Sequence, residues 1–353
     1  MAEHDHDHTE TLKEQIVRAA SEGSPLEIRG GGSKQFYGRA PLGDPLEIGD
    51  HTGIIQYEPT ELVVTVRSGT PLTQIEQVLA ERRQILPFDP PHFQGGATIG
   101  GAVACGLAGP ARPWSGAPRD ALLGVRILDG RGRTMRFGGE VMKNVAGYDI
   151  ARLMAGALGT LGVLLDVSLK VLPAPGDHHT LVMDLDARQA LEHMTALNTQ
   201  PVPLAGAAHV DGQLHLRLAC DAALAAHWRR RIGGELSTDD AGFWRGLRDH
   251  TLPFFDQDAP LWRLSLPPAS PPQNIGKTLI DWGGAQRWVF TEETPEQMWA
   301  LATASGGHAT LFRGGNRQGG RFQPLPRPMA ALHTRLKKVF DPENVLNRGR
   351  LYP

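Results

Sequence analysis

Apolar residues at Leu12, Ile16 and Ala19 share one face of a helical pattern that stops at Gly23, which predicts a short amphipathic helix. A strand is expected to run into Ile28-Arg29, and the β-branched run Glu61 to Arg67 predicts another. Ser68-Gly69-Thr70-Pro71 reads as a turn in which Thr70 caps a helix begun by Pro71, with Leu72, Ile75 and Leu79 facing inward. Leu122 to Leu128 and Thr134 to Phe137, joined through Asp129-Gly130-Arg131-Gly132, predict a hairpin. A helix is expected from Gly147 to Ala155 and a long alternating strand from Leu161 to Leu172, ending at Pro173-Ala174-Pro175-Gly176.

That proline-glycine segment is the expected domain boundary. Beyond it come a strand at Thr180 to Leu185, a helix at Ala187 to Leu197, two strands about Asp211-Gly212 and a helix at Ala222 to Arg231, an order that suggests a ferredoxin-like α+β sandwich. Further strands are expected at Leu261 to Leu266 and Arg287 to Phe290, with helices at Glu296 to Ala304 and Arg327 to Phe340. The expected organisation is a disordered tail over 1–9, a first domain over 10–175, a smaller α+β cap domain over 176–326, and a C-terminal helix and tail over 327–353 that return to the first domain.

At 353 residues the chain is long enough for two domains, each with its own core. A formal net charge of -2 argues against nucleic acid as a partner. Two cysteines, Cys105 and Cys220, are too few for a disulfide framework, a four-thiolate zinc site or an iron–sulfur cluster, and they fit a reducing, cytoplasmic setting. The N-terminus alternates His and Asp rather than running from basic to apolar, so it reads as a solvated tail and not as a secretory signal. The longest apolar run, Leu153 to Leu165, is too short to span a bilayer, which leaves peripheral membrane association as the form of any membrane contact. From Arg313 onward nine basic residues face two acidic ones, a bias that suits either a solvated face or a surface for an acidic partner or lipid headgroups.

Glycines then supply the candidate chemistry. Residues 96 to 163 carry them in clusters, and Arg29-Gly30-Gly31-Gly32-Ser33 places three in succession at a strand end. Successive amides without side chains form a nest suited to diphosphate oxygens, and Ser33 adds a hydroxyl. Tight turns in an ordinary α/β domain are the other reading. No Gly-Lys-Ser/Thr ends the run, so it is not a Walker loop, and no strand leads into a Gly-x-Gly-x-x-Gly fingerprint.

Together with Leu86-Pro87-Phe88-Asp89-Pro90-Pro91, Thr98-Ile99-Gly100-Gly101, Lys143 to Asp149, Gly159 to Val163 and the closing Phe340 to Tyr352, this run resembles the FAD-binding fold of the vanillyl-alcohol oxidase and p-cresol methylhydroxylase family. Within it the chain looks most like the flavin-carrying subunits of bacterial glycolate dehydrogenases. The resemblance implies an FAD-binding domain of two α/β subdomains followed by the cap. Gly30, Gly31, Gly32 and Ser33 would hold the diphosphate, Thr98, Ile99, Gly100 and Gly101 would approach diphosphate and flavin, and Gly162 and Val163 would lie near the adenine. Arg29, Pro87, Asp89, Gly106, Asn144, Gly159 and Thr160 complete the implied cofactor set. Covalent-flavin members carry His or Cys at places where this chain has Ser33 and no cysteine between Pro87 and Gly101, which implies non-covalent FAD; His92 is the one neighbouring group of the reactive type.

Hydroxy-acid dehydrogenases of the family carry a Gly-Asp-Gly-Asn-x-His metal motif, and the comparable place here, Gly306-Gly307-His308-Ala309, lacks the acid and the second histidine. That departure implies no metal and favours a subunit relaying electrons between a catalytic flavoprotein subunit and an iron–sulfur subunit. Two alternatives remain open. One is a self-sufficient FAD oxidoreductase in which His308 or Tyr148 acts as base and Arg287, Arg263 or Arg313 pairs with a substrate carboxylate. The other is an assembly subunit with a vestigial flavin pocket.

Overall fold

The computed structural model describes residues 5–93, 95–139 and 149–352. The chain divides into two compact units, one of Met1–Leu107, Ala117–Ala174 and Pro324–Pro353, the other of Ala108–Gly116 and Pro175–Gln323. Residues 108–116, read from sequence as part of the first domain, thus belong to the second: Trp282 Nε1 donates to the Gly109 carbonyl at 3.0 Å and the Arg112 guanidinium lies 4.5 Å from the Trp282 ring centre.

In the first unit, strand β1 (Leu26–Arg29) pairs in parallel with β2 (Asp44–Glu47), and Leu26 bridges to Leu346. The helix Thr9–Glu22 packs Leu12, Ile16 and Ala19 onto the same core as Leu46, Val345 and Leu346, and ends at Gly23 in the left-handed conformation. A five-stranded sheet has the order β3 (Ile54–Glu58), β4 (Val63–Arg67), β8 (Val163–Lys170), β6 (Leu122–Leu128), β7 (Thr134–Gly138), every pair antiparallel. A two-residue pair, β5 (Gln84–Ile85) and β9 (Leu172–Pro173), completes the unit. Two α/β parts therefore make up this unit, and the predicted hairpin is present as β6 and β7.

Several local expectations are corrected. β8 does not alternate: Val163 to Leu169 are all buried, because β8 is a central strand. Thr70 does not cap the helix Leu72–Ala80; its hydroxyl accepts from the Gly53 amide at 2.9 Å, tying the turn to the preceding loop. The helix near 150 is short, Ile150–Met154, capped by Asp149. The acidic N-terminal segment, expected to be solvated, is held from Asp5 onward, because buried Arg67 offers it a guanidinium. Arg67 binds Asp5 and lies 2.9 Å from Asp7, Arg126 lies 3.6 Å from Asp7, and the His8 amide donates to His51 Nδ1 at 3.0 Å.

The second unit is one eight-stranded antiparallel sheet. Its strands are β10 (His178–Asp184), β11 (Leu204–Val210), β12 (Gln213–Ala219), β13 (Glu235–Leu236), β14 (Leu261–Ser265), β15 (Lys277–Asp281), β16 (Gln286–Phe290) and β17 (His308–Arg313). The order β13-β10-β12-β11 is that of a ferredoxin-like unit, and β17-β14-β16-β15 repeats it, the two joined where His209 of β11 pairs with Ile280 of β15. Only the first of these is legible in the sequence, since a loop stands where the second would carry its first helix. Helices Ala187–Leu197 and Ala222–Ile232 pack their apolar faces on the first half, and Pro295–Ala304 covers Trp262, Leu264, Ala309 and Leu311 on the second.

Candidate functional site

In the first unit β1 ends at Arg29 and the chain turns through Gly30-Gly31-Gly32-Ser33. Thr98 caps the helix Ile99–Cys105, its hydroxyl accepting from the Gly101 amide at 3.3 Å. The two loops touch. A Cβ at Gly31 would stand 1.4 Å from the Gly96 carbonyl oxygen, one at Gly30 would stand 2.6 Å from Thr98 Oγ1, and one at Gly100 would stand 2.5 Å from Ser68 Cβ. Close packing against Gly96, Thr98 and Ser68 leaves no room for a Cβ at these three positions. Gly32 differs: its φ is +75°, and a Cβ there would meet only the Gln35 side chain, at 3.9 Å.

These loops, with the segments around Leu158 and Asn347, line a groove that opens to solvent. Among the described residues the amides of Gly30, Gly31, Gly32 and Ser33 donate to no protein acceptor. Four successive donors beside a groove form an anion cradle. The Ile99 and Gly100 amides are already committed, to the Thr70 and Ser68 carbonyls at 3.0 and 2.8 Å, so the second glycine run contributes shape rather than donors.

Two buried cations line the same groove. Lys34 places Nζ 3.2 Å from Ser33 Oγ, and Arg350 donates to the Lys34 carbonyl at 3.3 Å with Glu27 at 3.8 Å. Their charges act on Cys105: enclosure pushes its thiol up, against the pull of Lys34 and Arg350, and the net result is a protonated thiol. Arg29, expected among the cofactor contacts, lines the groove but gives its guanidinium to Glu27 at 2.6 Å. Asn347 ties the C-terminal segment to the cradle, accepting from the Ile28 amide at 2.7 Å and donating to the Leu158 carbonyl at 2.6 Å. Ile28, Ile48, Ala104 and Leu164 supply apolar wall. An anionic centre flanked by flat rings fits this donor set and its apolar wall, and FAD has that form.

Of the residues singled out from sequence, Arg29, Gly30, Gly31, Gly32, Ser33, Thr98, Gly100, Gly101, Gly159 and Gly162 line the groove. Pro87, Asp89, Ile99, Gly106, Thr160 and Val163 do not. Ile99 and Val163 are core residues with no exposed surface, the Thr160 hydroxyl donates to the Ala157 carbonyl at 2.7 Å, and Gly106 ends its helix with φ +63° against Gly156. Asn144 and Tyr148 lie outside the described residues. His92 is paired with Glu76 at 3.0 Å and does not reach the groove wall. Lys34, Ser68, Asn347 and Arg350 were missed. Lys34 had a signal in its place beside the glycine run, whereas Asn347 and Arg350 reach the site only through folding.

The catalytic candidates are not assembled. Leu264 pairs with both Arg287 and Ala309, whereas Ser265 pairs with Gln286 and His308, so Arg287 and His308 project from opposite faces of the sheet. Arg287 is 1% exposed and donates to the Ser270 carbonyl at 3.0 Å, and its burial lowers it to about 10. Burial, then the neighbouring Arg263, lowers His308, keeping it neutral. Arg313 donates to His250 Nδ1 at 3.1 Å, in an aromatic nest where the His250 ring stacks 3.9 Å from Phe255.

A family model described as FAD binding domain matches residues 6–138. The chain is 46% identical over 348 residues to "Glycolate oxidase subunit GlcE" of Escherichia coli (strain K12), covering 98% of each protein. It is 23% identical to a D-lactate dehydrogenase of Archaeoglobus fulgidus, covering 95% of the chain and 88% of that protein. Glycolate oxidase subunit GlcD of Bacillus subtilis matches over 45% of the chain, at 29% identity and 34% of its own length. In fold, an alkyldihydroxyacetonephosphate synthase superposes with a TM-score of 0.67 at 14% identity, covering 98% of the chain and 76% of that structure. Among the described residues no helix is long and apolar enough to cross a membrane. The free amide cradle, the flanking cations and the full-length identity agree: FAD is the cofactor, and the chain belongs to the GlcE family of glycolate oxidase subunits, within the FAD-binding oxidoreductases.

Proposed function

We propose that the chain is the electron-transferring FAD subunit of a multi-subunit glycolate dehydrogenase, working between a catalytic flavoprotein subunit and an iron–sulfur subunit, with its FAD held non-covalently. The observation that carries this reading is the end-to-end identity with a glycolate oxidase subunit, joined to a groove whose described lining contains no His, Asp or Glu to take a substrate proton. FAD, when bound, supplies the redox chemistry, as hydride or single-electron transfer. The protein's part is binding and tuning. The Gly30 to Ser33 amides hold the diphosphate, Lys34 and Arg350 offset its charge, and the apolar wall keeps water from the rings.

The test is an absorption spectrum of the purified chain before and after acid precipitation, followed by anaerobic glycolate. Yellow colour released to the supernatant, no bleaching by glycolate alone, and bleaching once the catalytic subunit is added are expected. Bleaching of the isolated chain by glycolate would make it self-sufficient and refute the proposal. A chain that stays colourless after flavin supplementation would leave a vestigial pocket.

A further inference from the structure

The C-terminal helix Arg327–Phe340 buries only Phe340. Met329, Leu332 and Val339 are 45%, 40% and 64% exposed, and Val339 is the most exposed large hydrophobic residue among the described residues. With half-buried Leu336 they follow the spacing i, i+3, i+7, i+10, one stripe along the helix. Arg327, Arg335 and Lys338 are exposed on the same helix, which has no acidic residue, and none of the three takes part in a hydrogen bond or ion pair among the described residues.

The far end of the helix is fixed to the body of the unit. Lys337 Nζ donates to the Thr160 and Leu346 carbonyls at 2.7 and 2.8 Å and to Asp341 at 2.6 Å. The C-terminal turn of the helix is therefore fixed to the unit before any partner arrives.

We infer that this helix is the docking element through which the chain binds another subunit of its complex, its aliphatic stripe entering an apolar groove whose rim carries carboxylates for Arg327, Arg335 and Lys338. The inference rests on the subunit reading above. Charge complementarity selects the rim: Arg327, Arg335 and Lys338 are exposed on a helix without an acidic residue, and such a face calls for carboxylates on its partner. The exposed stripe is aliphatic, and the subunit reading selects a protein groove, rather than a membrane, as its occupant.

The test is co-expression of the full chain with the flavoprotein and iron–sulfur subunits of its complex, in wild-type form, as Leu332→Glu/Val339→Glu and as Arg335→Glu/Lys338→Glu. Flavin content and melting temperature serve as folding controls. Both variants should keep FAD and melt with the wild type, yet retain at least tenfold less partner. Undiminished retention by both overturns the inference. So does binding of the isolated wild-type chain to vesicles of anionic phospholipid that the apolar variant loses while still assembling, since the occupant is then the membrane. A wild-type chain that assembles with neither subunit overturns the subunit reading and this inference with it.

Discussion

Gly32 offers the sharpest test of the anion cradle, because it can take a side chain without striking the protein. Its neighbours Gly30 and Gly31 cannot: a Cβ on Gly31 would overlap the Gly96 carbonyl at 1.4 Å, so any variant there reports on folding. At Gly32 the φ of +75° disfavours any side chain, but Asp and Asn tolerate it alike, and the strain of about 1 kcal/mol cancels between them. What differs is one negative charge. Two unit charges about 5 Å apart repel by about 3 kcal/mol at an effective dielectric of about 20. FAD's diphosphate carries two such charges, but Gly32 is exposed and screened, which brings the expected penalty to about 2 kcal/mol, or about thirtyfold in Kd. The assay is titration of the flavin-free protein with FAD, read by flavin fluorescence, for Gly32→Asp against Gly32→Asn. The gap should close at about 1 M salt, where the Debye length is about 3 Å. Equal Kd values for the two variants at low salt would show that the diphosphate does not lie on this loop.

Asn347→Ala strands the Ile28 amide and the Leu158 carbonyl, a loss of about 2 kcal/mol that should lower the melting temperature by about 4–8 °C and weaken FAD binding. An unchanged melting temperature would mean that the C-terminal segment is not needed to close the groove. His215, 9% exposed and stacked 3.7 Å from Phe243, is held neutral down to about 4, chiefly by burial and then by His209. Its folded value lies below its unfolded one, so its share of stability is complete above about 6.5 and is lost as pH falls towards 4, about 3 kcal/mol in all. His215→Phe keeps the ring, and urea unfolding at several pH values should show a shallower decline between 6.5 and 4; a decline as steep as that of the wild type would assign the effect to other histidines.

Much of the element plan was legible because local patterning and packing agree. Leu12, Ile16 and Ala19 mark a helical face that is also the buried face, and Asp129-Gly130 marks a turn that the flanking strands require. The ferredoxin-like order was legible in the first half of the second unit, where each helix carries its own apolar face, and illegible in the second half, where a loop replaces one helix. β8 read as alternating, and its burial on both faces comes from the strands on either side of it.

By itself the sequence determined the glycine run at Gly30 to Ser33, its place at the end of a strand, the family resemblance and hence the cofactor, because each depends on residues adjacent in the chain. Tertiary structure alone decided what each glycine is for. It showed Gly30, Gly31 and Gly100 keeping protein loops in contact, Gly32 standing open, and the Ile99 and Gly100 amides already bonded. It also brought Asn347 and Arg350 to the cradle from the far end of the chain, and set Arg287 and His308 on opposite faces of one sheet. The physical reason is that donors, charges and steric limits act through distance in space, and distance between residues far apart in sequence is set by strand pairing and core packing.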